Sequence, residues 1–193
     1  MNVRAMSKPY LRYLWLVLGI WLTLSGLAQA ATQSRSELLR DAAKAHWIAE
    51  GHGHRVVYVI FDPNCPYCHL VYVDSQAYLK KYQFRWVPVD ILTRTSPGKA
   101  AAMLEARDPK AALKENEDHF VRARGKLGGL KPLAHMTAAT RKALDYNKKL
   151  LAKTGMEVVP TIIYLKKDGK AKVIKGAPAK ADFAAMLAEV SGS

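Results

Sequence analysis

The sequence predicts an α/β domain in which strands and helices alternate, with a helical insertion between the second strand and the helix before a strand-opening proline. Three observations carry this. The β-branched and aromatic run Arg55–Phe61 leads, through a short turn, to Cys65-Pro66-Tyr67-Cys68 at the start of a helical pattern. A second buried-strand pattern, Thr161–Leu165, lies far downstream and is opened by Val159-Pro160. It returns through Asp168-Gly169, a strong hairpin signal.

The elements follow in order. Ser34 and Glu37 have capping-box spacing, and Leu38, Leu39, Ala42, Ala45, His46 and Ile48 recur at helical intervals, which predicts a helix over 36–50. Gly51-His52-Gly53-His54 stops it. After the strand at 55–61, Asp62-Pro63-Asn64 forms a turn, and Pro66 takes a first-turn position where its missing N–H costs nothing. That helix is expected to reach about residue 81. Residues 84–92 read as the second strand, with Pro88 marking an edge or a bulge. Helical stretches follow at 99–106 and 110–124, a glycine-rich loop at 125–132, and a helix from Thr137 to about Lys153. The return strand of the hairpin is expected at 172–174, and a last amphipathic helix presents Phe183, Met186, Leu187 and Val190 on one face.

The first thirty residues read differently. Arg4, Lys8 and Arg12 form a positive start, an apolar run covers 14–27, and Ala28-Gln29-Ala30 supplies small residues for cleavage, the order of a secretory signal peptide. An uncleaved anchor is the alternative, but the run is shorter than the roughly 20 apolar residues of a spanning helix. Cleavage leaves one domain's worth of chain: a helix and turn at 31–54, then 55–193 with the insertion at about 97–132. The whole chain carries +14, and residues 31–193 carry +11. Its Lys and Arg are scattered without interleaved aromatics, which reads as a basic soluble surface and not as a nucleic-acid site.

Both cysteines of the chain lie in the one motif. A disulfide there would close a four-residue loop, worth only about 2 kcal/mol before strain, so a purely structural bond is a poor explanation. A metal site would need more ligands; His46, His52, His54 and His69 are near in sequence, but there is no second CxxC or CxxxH, and no metal is expected. Thiol chemistry remains. Cys65 at a helix start faces unpaired N–H groups and the positive end of the dipole, which favours its thiolate. Cys68, one turn on, is placed to resolve a mixed disulfide. His69 adds to the thiolate field if charged, or else faces solvent. Pro160, distant in sequence, would leave the backbone of Val159 beside the cysteines to pair with an extended substrate. Strand, CxxC helix, strand, helix, X-Pro, hairpin and helix is the thioredoxin plan.

From Tyr58 onward the chain resembles the DsbG/DsbC family of periplasmic thiol:disulfide interchange proteins, and its DsbG branch most closely. The residues that carry this are Tyr58 through Cys68 (YVIFDPNCPYC), Ser96 through Leu104 (SPGKAAAML) with Asp108-Pro109, and Val159 through Tyr164 (VPTIIY). The resemblance implies a thioredoxin fold, and catalysis by Cys65 and Cys68, with Pro66, Tyr67 and His69 tuning the motif and Val159 and Pro160 binding substrate. It implies clients among exported proteins with sulfenic acids or non-native disulfides, a membrane thiol reductase of the DsbD type as electron donor, and no cofactor beyond the Cys65–Cys68 pair. Two departures stand out. Only about 25 residues separate the cleavage site from the first strand, so the family's N-terminal dimerisation domain is missing and a monomer is expected; the helix near 38–50 looks like the remnant of its linker. Val159 stands where the family usually has Thr and DsbA-like oxidases have Val. Val59 occupies the place of the acid that many thioredoxins bury, and Asp62 is either a substitute proton acceptor or a turn cap. Alternatives are a DsbA-like dithiol oxidase and, in another class, a non-catalytic holdase or metal carrier.

Overall fold

The computed structural model describes residues 36–121 and 127–192. The signal-peptide reading of residues 1–30 lies outside them, as do residues 122–124 of the helix expected at 110–124, which ends earlier, at Asp118. Among the described residues no helix is long and apolar enough to cross a membrane.

A five-stranded sheet runs in the order β1-β3-β2-β4-β5. Its centre is β2 (Arg55–Phe61), parallel to β3 (Tyr82–Pro88) and antiparallel to β4 (Thr161–Leu165). β5 (Ala171–Lys175) closes one edge and β1 (Ile48–Glu50) the other. The last five residues of β2 are all buried, because helices cover both faces of the strand. Alternation sorts its side chains. Val57, Val59 and Phe61 join Phe84, Trp86, Ile162 and Tyr164 in a core completed by Val71 and Tyr72 of α2 (Pro66–Ser75) and Phe183 and Leu187 of α6 (Lys180–Glu189). Tyr58 and Ile60 face the other way, with Val87 and Ile163, onto Leu38 and Ala42 of α1 (residues 36–44), Ala45 just after it, and Leu150 and Leu151 of α5 (Ala138–Lys153).

The insertion forms α3 (Ser96–Leu104) and α4 (Pro109–Asp118). Met103 and Leu113 sink into the α2 side of the core, so the insertion is packed structure and not an appended loop. α4 and α5 start at side-chain caps: Asp108 Oδ1 accepts from Ala111 N at 3.0 Å, and Thr137 Oγ1 from Thr140 N at 3.1 Å.

Other expectations shift as well. The helix expected at 36–50 ends at 44, and Ile48–Glu50 instead pairs antiparallel with β3, Ile48 opposite Trp86 and Glu50 opposite Phe84. Asn147 of α5 fixes this turn, accepting from His46 N at 3.0 Å and donating to His46 O and Pro88 O at 2.9 Å each. Residues 36–50 therefore belong to the core and the sheet, not to a linker. The helix after the cysteines ends at Ser75 and tightens into a 3-10 turn, Gln76–Tyr78, short of residue 81. The second strand is Tyr82–Pro88 and not 84–92; Pro88 ends an interior strand, beyond the reach of β1, where no ladder bond is asked of it.

Candidate active site

β2 ends at Phe61, and residues 62–64 turn the chain into α2, leaving Cys65 as its N-cap with extended backbone (φ −87°, ψ 112°). Pro66 occupies the first turn. Cys65 Sγ accepts from Cys68 N at 3.2 Å, so the sulfur takes the role usually filled by a Ser or Asp oxygen. The residue is 2 % exposed, as is Cys68. Hydrogen bonding at Cys65 and burial at Cys68 separate the two thiols. For Cys65, the side-chain hydrogen bond from Cys68 leads, and the N–H groups of Cys68 and Tyr67 add to it; together they outweigh burial and hold the thiol below its ordinary value. For Cys68, burial leads, the interaction with Cys65 adds to it, and the thiol is held well above its ordinary value. One turn of helix thus carries a thiol displaced downward and a thiol displaced upward.

The chain before β4 completes the site. Val159–Pro160 is cis, and the Cys65 thiol lies 3.7 Å from Val159 O. Pro160 is buried and Val159 half-buried, packed between the two cores. Tyr67 stands out from the rim at 63 % exposed. Four of the residues expected at the site, Cys65, Cys68, Val159 and Tyr67, thus meet at the C-terminal end of β2.

His69 goes elsewhere. Its ring turns toward α4, with Nδ1 2.9 Å from Glu117 Oε2 and the imidazole stacked on Phe120 at 4.5 Å between centroids. It fastens α2 to the insertion and points neither at Cys65 nor freely into solvent. Asp62 is a turn cap. Its Oδ1 accepts from Asn64 N and Ser96 Oγ, its Oδ2 from Ile91 N and Leu92 N, all at 2.8–3.0 Å. Burial, partly offset by these donors, raises its carboxyl above the ordinary value, and its charge weakly opposes ionisation of both cysteines.

Behind the cysteine turn lies a polar cluster that the pattern of the sequence did not announce. Asn64 is 1 % exposed; its Nδ2 lies 2.8–3.2 Å from the hydroxyls of Thr93, Thr95 and Ser96, and its Oδ1 accepts from Lys99 Nζ at 2.8 Å. Lys99 also donates to Gly128 O, and burial lowers its ammonium's value, opposed by the charges of Asp62 and Glu117. Asn116, fully buried, donates to Pro63 O at 2.9 Å and accepts from Leu130 N. Spacing held one clue: Lys99 lies four residues before Met103, on the buried face of the same helix. Among the described residues no group of three or more His, Cys, Asp or Glu is placed to hold a metal ion.

This sheet order, with a CxxC capping α2 beside a cis-proline loop, defines a thioredoxin-like domain, and the thioredoxin-like domain family model matches residues 43–191; the chain belongs to that family. Within it the chain is DsbG-like. It is 36 % identical over 155 residues to the thiol:disulfide interchange protein DsbG of Pseudomonas aeruginosa, covering 78 % of this chain and 59 % of that protein. To DsbG of Escherichia coli it is 30 % identical, covering 74 % and 57 %. The chain thus spans somewhat under three fifths of the length of these relatives. In fold it is similar to a linker-deletion mutant of Proteus mirabilis ScsC (TM-score 0.64, 19 % identity, covering 97 % and 98 %) and to Helicobacter pylori DsbG (TM-score 0.57, 20 % identity, covering 84 % and 74 %).

Proposed function

We propose that this chain is a periplasmic thiol:disulfide oxidoreductase that reduces or rearranges oxidised cysteines in exported proteins, with Cys65 attacking and Cys68 resolving. The observation that carries the reading is the placement of Cys65 Sγ, 3.2 Å from Cys68 N at the start of α2 and 3.7 Å from Val159 O of the cis-proline loop. The Cys65 thiolate attacks the sulfur of a client sulfenic acid; a mixed disulfide forms, the S–O bond breaks, and the oxygen leaves as water after taking up a proton. Cys68 then gives up its proton, and its sulfur attacks Cys65 Sγ. The mixed disulfide breaks and the client leaves as a thiolate. The client has gained two electrons, and Cys65–Cys68 has become a disulfide. A non-native client disulfide opens in the same way, with a client thiolate as the leaving group.

Pro66 holds the first turn of α2, Tyr67 supplies an exposed rim, and the Val159 main chain pairs with the client beside Cys65. His69 acts through Glu117, by fixing α2. The redox group is the cysteine pair itself. Two electrons from a membrane thiol reductase of the DsbD type reset it, and the signal-peptide pattern of residues 1–30 supports work in the periplasm. The working form in this reading is a monomer, in which Cys65, Cys68, Val159 and Pro160 come together from one chain.

Val159 favours a second reading, a dithiol oxidase running the same steps in reverse, because its side chain brings no hydroxyl to Cys65. Direction follows from a potential difference of tens of millivolts. Trapping free thiols in growing cells tests it: a reductase is found mainly with Cys65 and Cys68 reduced, and a mainly oxidised pair would transfer the assignment to the oxidase.

A further inference from the structure

The end of the sheet remote from the cysteines has a character of its own. The seven residues of β2 separate the two ends by roughly 20 Å. At the N-terminal end two turns are pressed together. Gly51 has φ +86°, and a Cβ on Gly51 or Gly53 would meet the backbone of residues 79–82 at 2.0–2.9 Å. Glycine therefore allows His52 N to reach Leu79 O at 3.0 Å and Gly53 N to reach Tyr82 O at 3.4 Å. The result brings His52, His54 and Arg55 from one turn beside Lys80 and Lys81 from the other, lining an open cleft of about 650 Å³.

A second hollow, about 200 Å³, adjoins the cleft at His54; Leu39, Val56, Tyr58 and the exposed Leu165 make it mainly apolar. β4 runs against β2 with Tyr164 opposite Val57, so Leu165 and the hairpin turn after it lie at this same end. That turn adds Lys166, Lys167 and Lys170 against Asp168 and Glu189, which pair with Lys166. Among the described residues no acidic side chain lines either hollow.

We propose that this end is a docking surface for an anionic phospholipid bilayer. Lipid phosphates occupy the cleft between Arg55, Lys80 and Lys81, Leu165 and the apolar hollow meet the edge of the acyl region, and the cysteines face away into the aqueous space. A cationic rim around an apolar hollow matches the layering of a bilayer surface, whereas a free phosphate would use the cleft and leave the hollow idle. The proposal is independent of the direction of thiol exchange.

The test is sedimentation of the exported protein with phosphatidylcholine vesicles with and without phosphatidylglycerol. Binding is expected to the anionic vesicles alone. Lys80→Gln with Lys81→Gln lowers the partition constant about thirtyfold, two cations' worth of attraction at a lipid surface. Lys142→Gln with Lys149→Gln, two exposed α5 lysines outside the cleft, is the control and should lower it far less. An equal loss in the control would assign binding to general surface charge and overturn the site. So would equal binding to uncharged vesicles, or release from anionic vesicles by millimolar inorganic phosphate at constant ionic strength.

Discussion

Replacing Lys99 by methionine keeps the length of the side chain and removes the ammonium that ties the cysteine turn to the insertion. Asn64 Oδ1 and Gly128 O, both in buried residues, lose their donor, and each orphaned acceptor costs about 1–3 kcal/mol. Asp62 and Glu117, buried carboxylates whose charges act on the ammonium, lose that compensating charge. One gain opposes this: a charge that burial disfavours is no longer taken out of water. Removing one partner from a buried charged cluster usually costs about 3–5 kcal/mol, so a net loss of about 3 kcal/mol is expected. Asn64 directly precedes Cys65, so the loosened turn also weakens the N-cap and lets the Cys65 thiol titrate higher. Urea unfolding of the reduced protein reads the first effect as a lower midpoint at unchanged slope. The pH profile of Cys65 alkylation reads the second. A loss under about 1 kcal/mol together with an unmoved profile would refute the buttress role assigned to this cluster, since a satisfied buried network cannot be broken so cheaply.

Further outcomes follow from the same geometry. Cys65 should be alkylated at mildly acidic pH while Cys68 stays unmodified in the folded protein, as mass mapping after a short pulse of iodoacetamide would read; Cys68 reacting first would reverse the assignment. Glu50 is buried among Tyr72, Gln76 and Trp86, and burial raises its carboxyl above the ordinary 4.5. Its folded form holds the proton more firmly, so its contribution to stability is full below 4.5 and is lost as pH rises through the folded value. Glu50→Gln removes that slope, so its stability measured by denaturation should rise relative to the parent as pH increases through this range. Asn147→Ala strands His46 N, His46 O and Pro88 O and should cost roughly 3 kcal/mol, at about 1 kcal/mol per buried hydrogen bond, read by thermal unfolding.

The sequence was legible where one local signal agreed with the final environment. β2 and β4 fall at the expected residues because their β-branched runs are buried on both faces, and α5 starts after Thr137 because that hydroxyl caps it. β1 was hidden for the converse reason: Ile48 continues the helical stripe of Leu38, Ala42 and Ala45, and only β3 and the distant Asn147 pull residues 48–50 into the sheet. The two cysteines, Val159 and Tyr67 could be named because a CxxC at a helix start and an X-Pro at a strand start are local patterns. Asn64, Lys99, Asn116 and Glu117 could not, since their cluster exists only once the turn, the insertion and the loop near Gly128 are brought together. His69 was misjudged for the same reason, its partner lying 48 positions away.

The central claim is that Cys65 attacks an oxidised client sulfur and Cys68 releases it, and trapping tests this most directly. Cys68→Ala should freeze the intermediate, giving mixed disulfides through Cys65 to periplasmic proteins, visible as adducts that collapse on reduction. Some of those clients should contain a single cysteine, which cannot hold an internal disulfide and so must have been taken as sulfenic acid or as an adduct with a small thiol. Adducts formed by Cys65→Ala instead, or capture restricted to multi-cysteine proteins during their secretion, would contradict the account.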